Sequence, residues 1–518
     1  MTWSRQKGGV TAVALVAVGL AVGLFGQTVY NDSHNEQMYV TAGYLVAQGK
    51  RLYQDFAFVQ MPYVPLLYAP FFRLTGGYFL LTAKLINYAW TGLTALLLYM
   101  AGRRWTRDSL FSLTLVVVFL SNYYITRATM EASNYTLPMA LSLLGGLLMA
   151  GAYRRGAIQS GRLLLAGVAL GGAIGGKLYY ASLVVPCGLL TLLYPRQAAG
   201  WTRLRWGALP LAVGLAVGLG PVWYYLLRDP DRFLFNNLGY HTTNTLWRVQ
   251  SGFLEDASLW GKLSIARDVL ANSNVLPLVL WLALAGWLLL DRWPEMPRGD
   301  GRERLTLPVA VAGLMALTAT VTAFTPSPLF PQYFAMPVPF LLLTLAALQG
   351  QLLPSQQGIL RRLALVVAAI SVLIILPRHT GALHNALDPE KAWSGVAAHD
   401  IAYAIRGHLV QAGHLDGEAS PKVATLSPVY AIEARLDIYP ELATGSFVYR
   451  IGDLLSPAER ERYLATSLST LHQLLDSDPP AAILITEEGE LETPLLEYAQ
   501  SRGYEPAAQF SVGQLFIR

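Results

Sequence analysis

"VYNDSHNEQMYV", residues 29–40, closes the first long apolar run of the chain and packs Asp32, His34 and Glu36 into five residues. Read as the point where the chain leaves a bilayer, it makes the preceding run, 10–29, a membrane span. Composition supports that reading. Of 518 residues, 53% are hydrophobic and 14% charged, whereas a soluble protein carries roughly 25% charged residues. The deficit lies in repeated apolar runs of roughly 15 to 20 residues, the length that crosses a bilayer core as helix.

Spans are expected near 10–29, 80–100, 109–122, 134–152, 162–175, 178–194, 207–227, 273–290, 305–324, 333–349 and 363–377, about eleven in all. The distribution of Lys and Arg sets the orientation, because basic loops stay in the cytoplasm. Alternate loops carry Arg5 and Lys7; Arg103, Arg104 and Arg107; Arg154, Arg155 and Arg162; Arg196, Arg203 and Arg205; Arg292, Arg298, Arg302 and Arg304; Arg361 and Arg362. All fall on the side of the N-terminus, which is therefore cytoplasmic. Loops 30–79, 123–133, 228–272 and 325–332 then face outward, as does everything after 377. The first run has the basic start and apolar core of a leader peptide. No small-x-small cleavage site follows it, and it is read as a span. The net charge of +5 sits in short loops and does not point to a nucleic-acid partner. The single cysteine, Cys187, lies in an apolar run and has no intramolecular disulfide partner.

From about residue 378 the chain reads as ordinary globular polypeptide. "KVATLS" (422–427), "AAILIT" (481–486) and "QLFIR" (514–518) have strand character. "PAERERYLATSLSTLHQLLDS" (457–477) and "ETPLLEYAQSRG" (492–503) read as helices, the second stopped by glycine. The expected organisation is a transmembrane domain, 1–377, with an outer loop at 30–79, followed by a soluble extracytoplasmic α/β domain, 378–518.

In the outer loop, apolar residues recur at helical spacing from Glu36 to Ala47 (Met38, Tyr39, Ala42, Leu45, Val46), which predicts an amphipathic interfacial helix stopped at Gly49. Pro62, Pro65 and Pro70 are expected to break the next segment. Its aromatics (Tyr53, Phe56, Phe58, Tyr63, Tyr68, Phe71, Phe72) suit the headgroup level. Asp32 or Ser33 would cap the helix. The clustering of Asp32, His34, Glu36 and Asp55 in one loop also suits chemistry. His34 with Asp32 and Glu36 offers ligands for a divalent cation, Mg²⁺ or Mn²⁺.

"NEQMYVTAGYLVAQGKRLYQDF" (35–56) resembles the first outer-loop signature of the GT-C superfamily of integral-membrane glycosyltransferases, in the protein-mannosyltransferase and aminoarabinose-transferase branch. That signature runs D-E-x-x-Y and then G-x-x-x-Y-x-D-F. Glu36, Tyr39, Gly49, Tyr53, Asp55 and Phe56 fall in step with it. "GGAIGGKLYY" (171–180) and "PQYFAMPVPFLLL" (331–343) extend the likeness. One residue departs from it, since Asn35 stands where the pattern has Asp.

The resemblance implies a multi-pass enzyme of a bacterial or archaeal plasma membrane, with a GT-C-like bundle. Such an enzyme moves a sugar, hexose or pentose, from a polyprenyl-phosphate carrier to a hydroxyl of a glycan, lipid or protein, with inversion. The phosphate leaves as a stable anion, so the chemistry needs a carboxylate to take the acceptor proton and cations or N–H groups to hold developing charge. Asp32 is expected as base with Glu36 in support. Lys177, Tyr53, Asp55, His241, Gln332 and Tyr333 are expected at the donor or substrate. Lys177 stands out because a lysine at the end of a span is costly and often functional, although snorkelling is the simpler explanation. Lys84 and Arg73 are read as snorkelling and Arg127 and Glu131 as a helix ion pair. For His241, lone in a polar loop, surface exposure is the simpler explanation and contact with acceptor or carrier the alternative. The competing readings are a transporter or flippase for a lipid-linked sugar, an outer-face ligase or polymerase, and a catalytically silent relative.

Overall fold

Inside a bilayer the backbone must satisfy its own hydrogen bonds, so apolar runs fold as helices. In the computed structural model, which describes residues 2–154, 157–253, 258–271, 273–292, 300–415 and 420–518, helices lie wherever spans are expected. Arg155 and Arg298 of the basic loops lie outside the described residues. Five helices are long and apolar enough to cross a membrane: Gly8–Tyr30, Phe79–Thr106, Val275–Arg292, Pro331–Gln349 and Pro354–Leu387. Two more qualify as bent pairs, Ser109–Leu120 with Tyr123–Met130 (62°) and Gly200–Gly218 with Gly220–Arg228 (61°). Thr136–Ala150, Ser160–Gly176, Leu178–Leu193 and Leu307–Ala323 are apolar but shorter. The first bend has a local cause. Asn122 sits in extended backbone and its side chain accepts from the amides of Tyr124 and Ile125, which starts a new helix.

The outer loop departs from expectation in three ways. The helix Glu36–Ala47 is not interfacial, because Glu36 through Gly43 are all buried. Helix Tyr63–Thr75 packs against it, as does the C-terminal helix Pro428–Glu433, whose Val429 amide donates to Gln37 Oε1 at 2.9 Å. At Gly43 a Cβ would press into Tyr68 and Phe72. Second, Asn35 holds the capping position without a side-chain bond to the helix, which leaves Asp32 outside the helix; Glu36 instead reaches back to accept from the Ser33 amide at 3.2 Å. Third, the prolines do not break the next segment. Tyr63–Thr75 is one helix with Pro65 in its first turn, where no intrahelical N–H is needed, and Pro70 within it. Tyr53, Phe56, Phe58, Tyr68 and Phe72 are buried in protein rather than at headgroups, and Phe71 is exposed. Gly49 stops the helix as expected, at φ +86°.

β1 (Tyr153–Arg154) pairs antiparallel with β2 (Ala157–Ile158). The C-terminal part carries β3 (Lys422–Ala424), β4 (Asp437–Ile438), β5 (Ala482–Ile485), β6 (Glu505–Phe510) and β7 (Gly513–Ile517). They form one sheet in the order β4-β3-β5-β7-β6, with β3 parallel to β4 and β5, and β7 antiparallel to β5 and β6. Leu426, Tyr439, Leu475, Ile483 and Tyr498 form its core. The helix expected over 457–477 is two, Pro457–Tyr463 and Leu471–Ser477, interrupted where Leu464 takes φ +53°. This part is tied firmly to the bundle. Glu433 accepts from the Leu80 amide at 3.0 Å, at the start of helix Phe79–Thr106, and faces His399 Nδ1 at 3.2 Å. Burial raises its carboxyl above the usual range.

Candidate active site

The site begins with a lysine that does not snorkel. Lys84, on helix Phe79–Thr106, has no exposed surface. Its Nζ donates to Glu36 Oε1 at 2.6 Å, to the Asn31 carbonyl at 2.7 Å and to the Met130 carbonyl at 3.3 Å. Three acceptors match three ammonium protons. Glu36 also accepts from the Ala132 amide at 2.7 Å, and Asn87 donates to the Glu131 carbonyl. Burial pushes the Glu36 carboxyl up to about 7, against the opposing pull of Lys84 and the Ala132 amide.

Those bonds grip the backbone at residues 130, 131 and 132 and so present Glu131. It is not the helix partner of Arg127. Helix Tyr123–Met130 ends one residue earlier and Glu131 is in extended backbone (φ −95°, ψ 131°), so the four-residue spacing no longer stacks the two side chains. Glu131 is buried, and its Oε2 accepts from Asn35 Nδ2 at 3.3 Å.

Glu131 lines a cavity of about 570 Å³. Four of the expected substrate residues line it as well: Lys177, His241, Gln332 and Tyr333. Lys177 follows helix Ser160–Gly176, where Gly175 is required because a Cβ would overlap the Tyr63 ring. Its Nζ donates to Asn134 Oδ1 at 3.0 Å and lies 4.0 Å from the Tyr135 ring centre and 5.3 Å from those of Tyr179 and Tyr333. Burial lowers it to about 7, opposed by Glu131. His241 is half-buried on the cavity wall rather than at the surface, and burial, with Lys177 adding to it, lowers the imidazole to about 4. Arg248 and Arg450 also line the cavity, and among the described residues Glu131 is its single carboxylate.

The remaining expected residues lie elsewhere. Asp32 is exposed and outside the lining. Glu36 is enclosed behind the wall with Lys84. Tyr53 is buried and donates to the Gln60 carbonyl at 2.7 Å. Asp55 accepts from the Arg51 amide at 2.8 Å and guanidinium at 3.0 Å, which closes the turn after Gly49. Arg73 donates to the carbonyls of Ala47 and Val46, capping the Glu36 helix instead of snorkelling. The divalent-cation trio does not converge, since His34 lines the cavity but bonds to Ser446 and Glu488 while Glu36 turns to Lys84. Among the described residues no group of three His, Cys, Asp or Glu is placed to hold a metal ion.

Two crystal structures of ArnT from Cupriavidus metallidurans are similar to this chain. The form bound to undecaprenyl phosphate matches with a TM-score of 0.62 at 16% identity, over 98% of this chain and 98% of that one. The apo form matches with a TM-score of 0.60 at 17% identity, over 100% of this chain and 98% of that one. The chain has the ArnT fold. No protein-family model and no curated protein matches the sequence. The likeness to ArnT runs through the C-terminal sheet as well as the bundle, so the whole chain follows one architecture.

Asn134, Tyr135, Arg248 and Arg450 escaped the sequence reading, and Glu131 entered it only as the helix partner of Arg127. For Glu131, Asn134 and Tyr135 a signal existed: "EASNY" (131–135) is a polar patch after an apolar helix, the same pattern that drew attention to 29–40. Arg450 carried none, because it meets Tyr240 across 210 residues of chain.

Proposed function

We propose that this chain is an integral-membrane glycosyltransferase that moves a sugar from a polyprenyl-phosphate carrier to a hydroxyl of a glycan, lipid or protein. The observation that carries this reading is the cavity, where Glu131 shares one tyrosine-walled space with Lys177, Arg248 and Arg450. The shared fold with a protein crystallised with undecaprenyl phosphate adds support. In our reading Glu131 takes the proton of the acceptor hydroxyl. The acceptor oxygen bonds to the anomeric carbon from the face opposite the phosphate, the carbon–oxygen bond to the phosphate breaks, and its electron pair stays on the phosphate. The cations on the cavity wall hold that charge. Glu36 is a positioning residue, acting through Lys84 and the Ala132 amide. The basic loops support an outward-facing cavity with the C-terminal part extracytoplasmic.

Asp32, the base favoured by sequence alone, is tested beside Glu131. Purified protein is given a labelled polyprenyl-phosphate sugar with candidate acceptors. We expect Glu131→Gln to lower kcat by about 100-fold or more and Asp32→Asn to stay near wild type. The opposite ranking returns the base to Asp32. A wild type that carries labelled donor across proteoliposomes without transferring or hydrolysing it is a transporter.

A further inference from the structure

The cavity has a wall that the membrane helices do not supply. Phe447 and Arg450, from the C-terminal segment "SFVYR" (446–450), line it together with residues of the bundle. The segment is clamped from two sides. On one, Ser446 Oγ meets His34 Nε2 at 2.9 Å and Phe447 packs on the His34 ring with centres 5.2 Å apart. On the other, Arg450 reaches helix Tyr240–Gln250, donating from Nε to Asn244 Oδ1 at 3.0 Å and from Nη2 to Tyr240 Oη at 3.2 Å. Its guanidinium carbon lies over the Trp247 and Phe447 rings, 5.1 and 5.0 Å from their centres.

We infer that Arg450 is a donor-binding residue, through which the C-terminal part completes the anion site for a polyprenyl phosphate. Three observations carry this. A guanidinium fixed by two neutral acceptors and two aromatic faces keeps its whole positive charge, because no carboxylate neutralises it among those partners. Planar, forked donors suit phosphate oxygens, and their fixed orientation lowers the entropy lost on binding. The arginine opens on the same cavity as Lys177, so the anion would be held between a cation from the bundle and one from the roof. The inference rests on the donor class proposed above and goes beyond it: without the roof the bundle holds an incomplete site.

The test compares binding of undecaprenyl phosphate with binding of undecaprenol, its neutral alcohol, to the full-length detergent-purified protein. Arg450→Gln is expected to weaken phosphate binding by about 10- to 100-fold, the worth of a hydrogen bond to a charged group, and to leave the alcohol unchanged. Arg450→Lys, which keeps charge but loses the fork, should fall between. Arg435 provides the control for simple loosening, because it docks the same part of the chain through the Gly76 carbonyl and is outside the cavity lining. Arg435→Gln should keep the preference of wild type for phosphate over alcohol. The inference is overturned if Arg450→Gln keeps that preference, or loses both ligands equally. Should Arg450→Gln fail to fold, an Arg450→Lys protein with the wild-type preference and affinity overturns it just as well. A wild type that does not prefer the phosphate sinks the donor reading itself, and this inference with it.

Discussion

Lys177 is the residue whose chemistry depends most on its surroundings. Three tyrosine faces and one amide oxygen surround its ammonium, and burial brings it down to about 7. It is therefore charged below that pH and increasingly neutral above it. An arriving phosphate favours the charged form, so binding takes up a proton. With a sugar phosphodiester donor, whose own charge is constant near neutrality, donor affinity should fall as pH rises through about 7, by up to about tenfold per pH unit. Titration calorimetry across that range checks this, and Lys177→Met should flatten the profile. A profile equally steep in the variant would place the titration elsewhere. Asn35 gains a meaning at the same scale. An amide there donates to Glu131, whereas the Asp of the family pattern would set a second carboxylate against it and raise the affinity of one of them for protons. The departure from the pattern is thus compatible with a working base at Glu131.

Among the elements, the junction of helices Gly8–Tyr30, Glu36–Ala47 and Phe79–Thr106 with the chain at 130–132 is organised by one ion pair, Lys84 with Glu36. Breaking a buried pair strands a charge, at a cost of about 3–5 kcal/mol, while replacing both partners by apolar groups is often neutral. Lys84→Met should lower stability, approaching that amount only above neutral pH, where Glu36 is ionised. Glu36 can relieve the strain only by binding a proton, and its folded-state value of about 7 already lies above the ordinary 4.5. The folded state thus holds that proton more tightly than the unfolded chain, so both proteins lose stability together as pH rises from about 4.5 to 7; the deficit of the variant, whose Glu36 binds its proton more tightly still without Lys84, should grow as pH rises above about 7. The double variant Lys84→Met with Glu36→Leu should recover much of the stability but little activity, because the Met130 carbonyl and Ala132 amide lose their partners and Glu131 its support. Thermal melts at two pH values with turnover assays check both. A double variant as active as wild type would remove Glu36 from its positioning role.

At the scale of the whole molecule, charge asymmetry and the position of the sheet make one claim, that cavity and sheet lie on the side away from the basic loops. Single cysteines introduced at exposed positions test it. Ser477→Cys, at the end of helix Leu471–Ser477, should react with a membrane-impermeant maleimide on intact cells. Gln197→Cys, in a basic loop, should react only after permeabilisation. The native Cys187 is buried and gives little background. The reverse pattern would invert the topology. The same scale explains why the Glu36 helix was misjudged. Its apolar spacing is that of an interfacial helix, but its second neighbour, Pro428–Glu433, comes from nearly 400 residues later in the chain.

Sequence by itself determined where the apolar helices and three of the sheet strands fall, because those follow from runs and periodicities within a few turns of chain. It also brought the outer loop, Lys177 and His241 into consideration, since costly or polar residues in loops and at span ends are locally visible, and Gln332-Tyr333 through the family resemblance. Tertiary structure alone decided which carboxylate meets the cavity, that Lys84 is paired rather than snorkelling, and that Arg450 closes the roof. Each of those depends on a partner dozens to hundreds of residues away, and on burial that no local spacing encodes. Asp32, His34 and Glu36 are neighbours in sequence, yet they serve three surroundings: solvent, the C-terminal roof and a buried lysine.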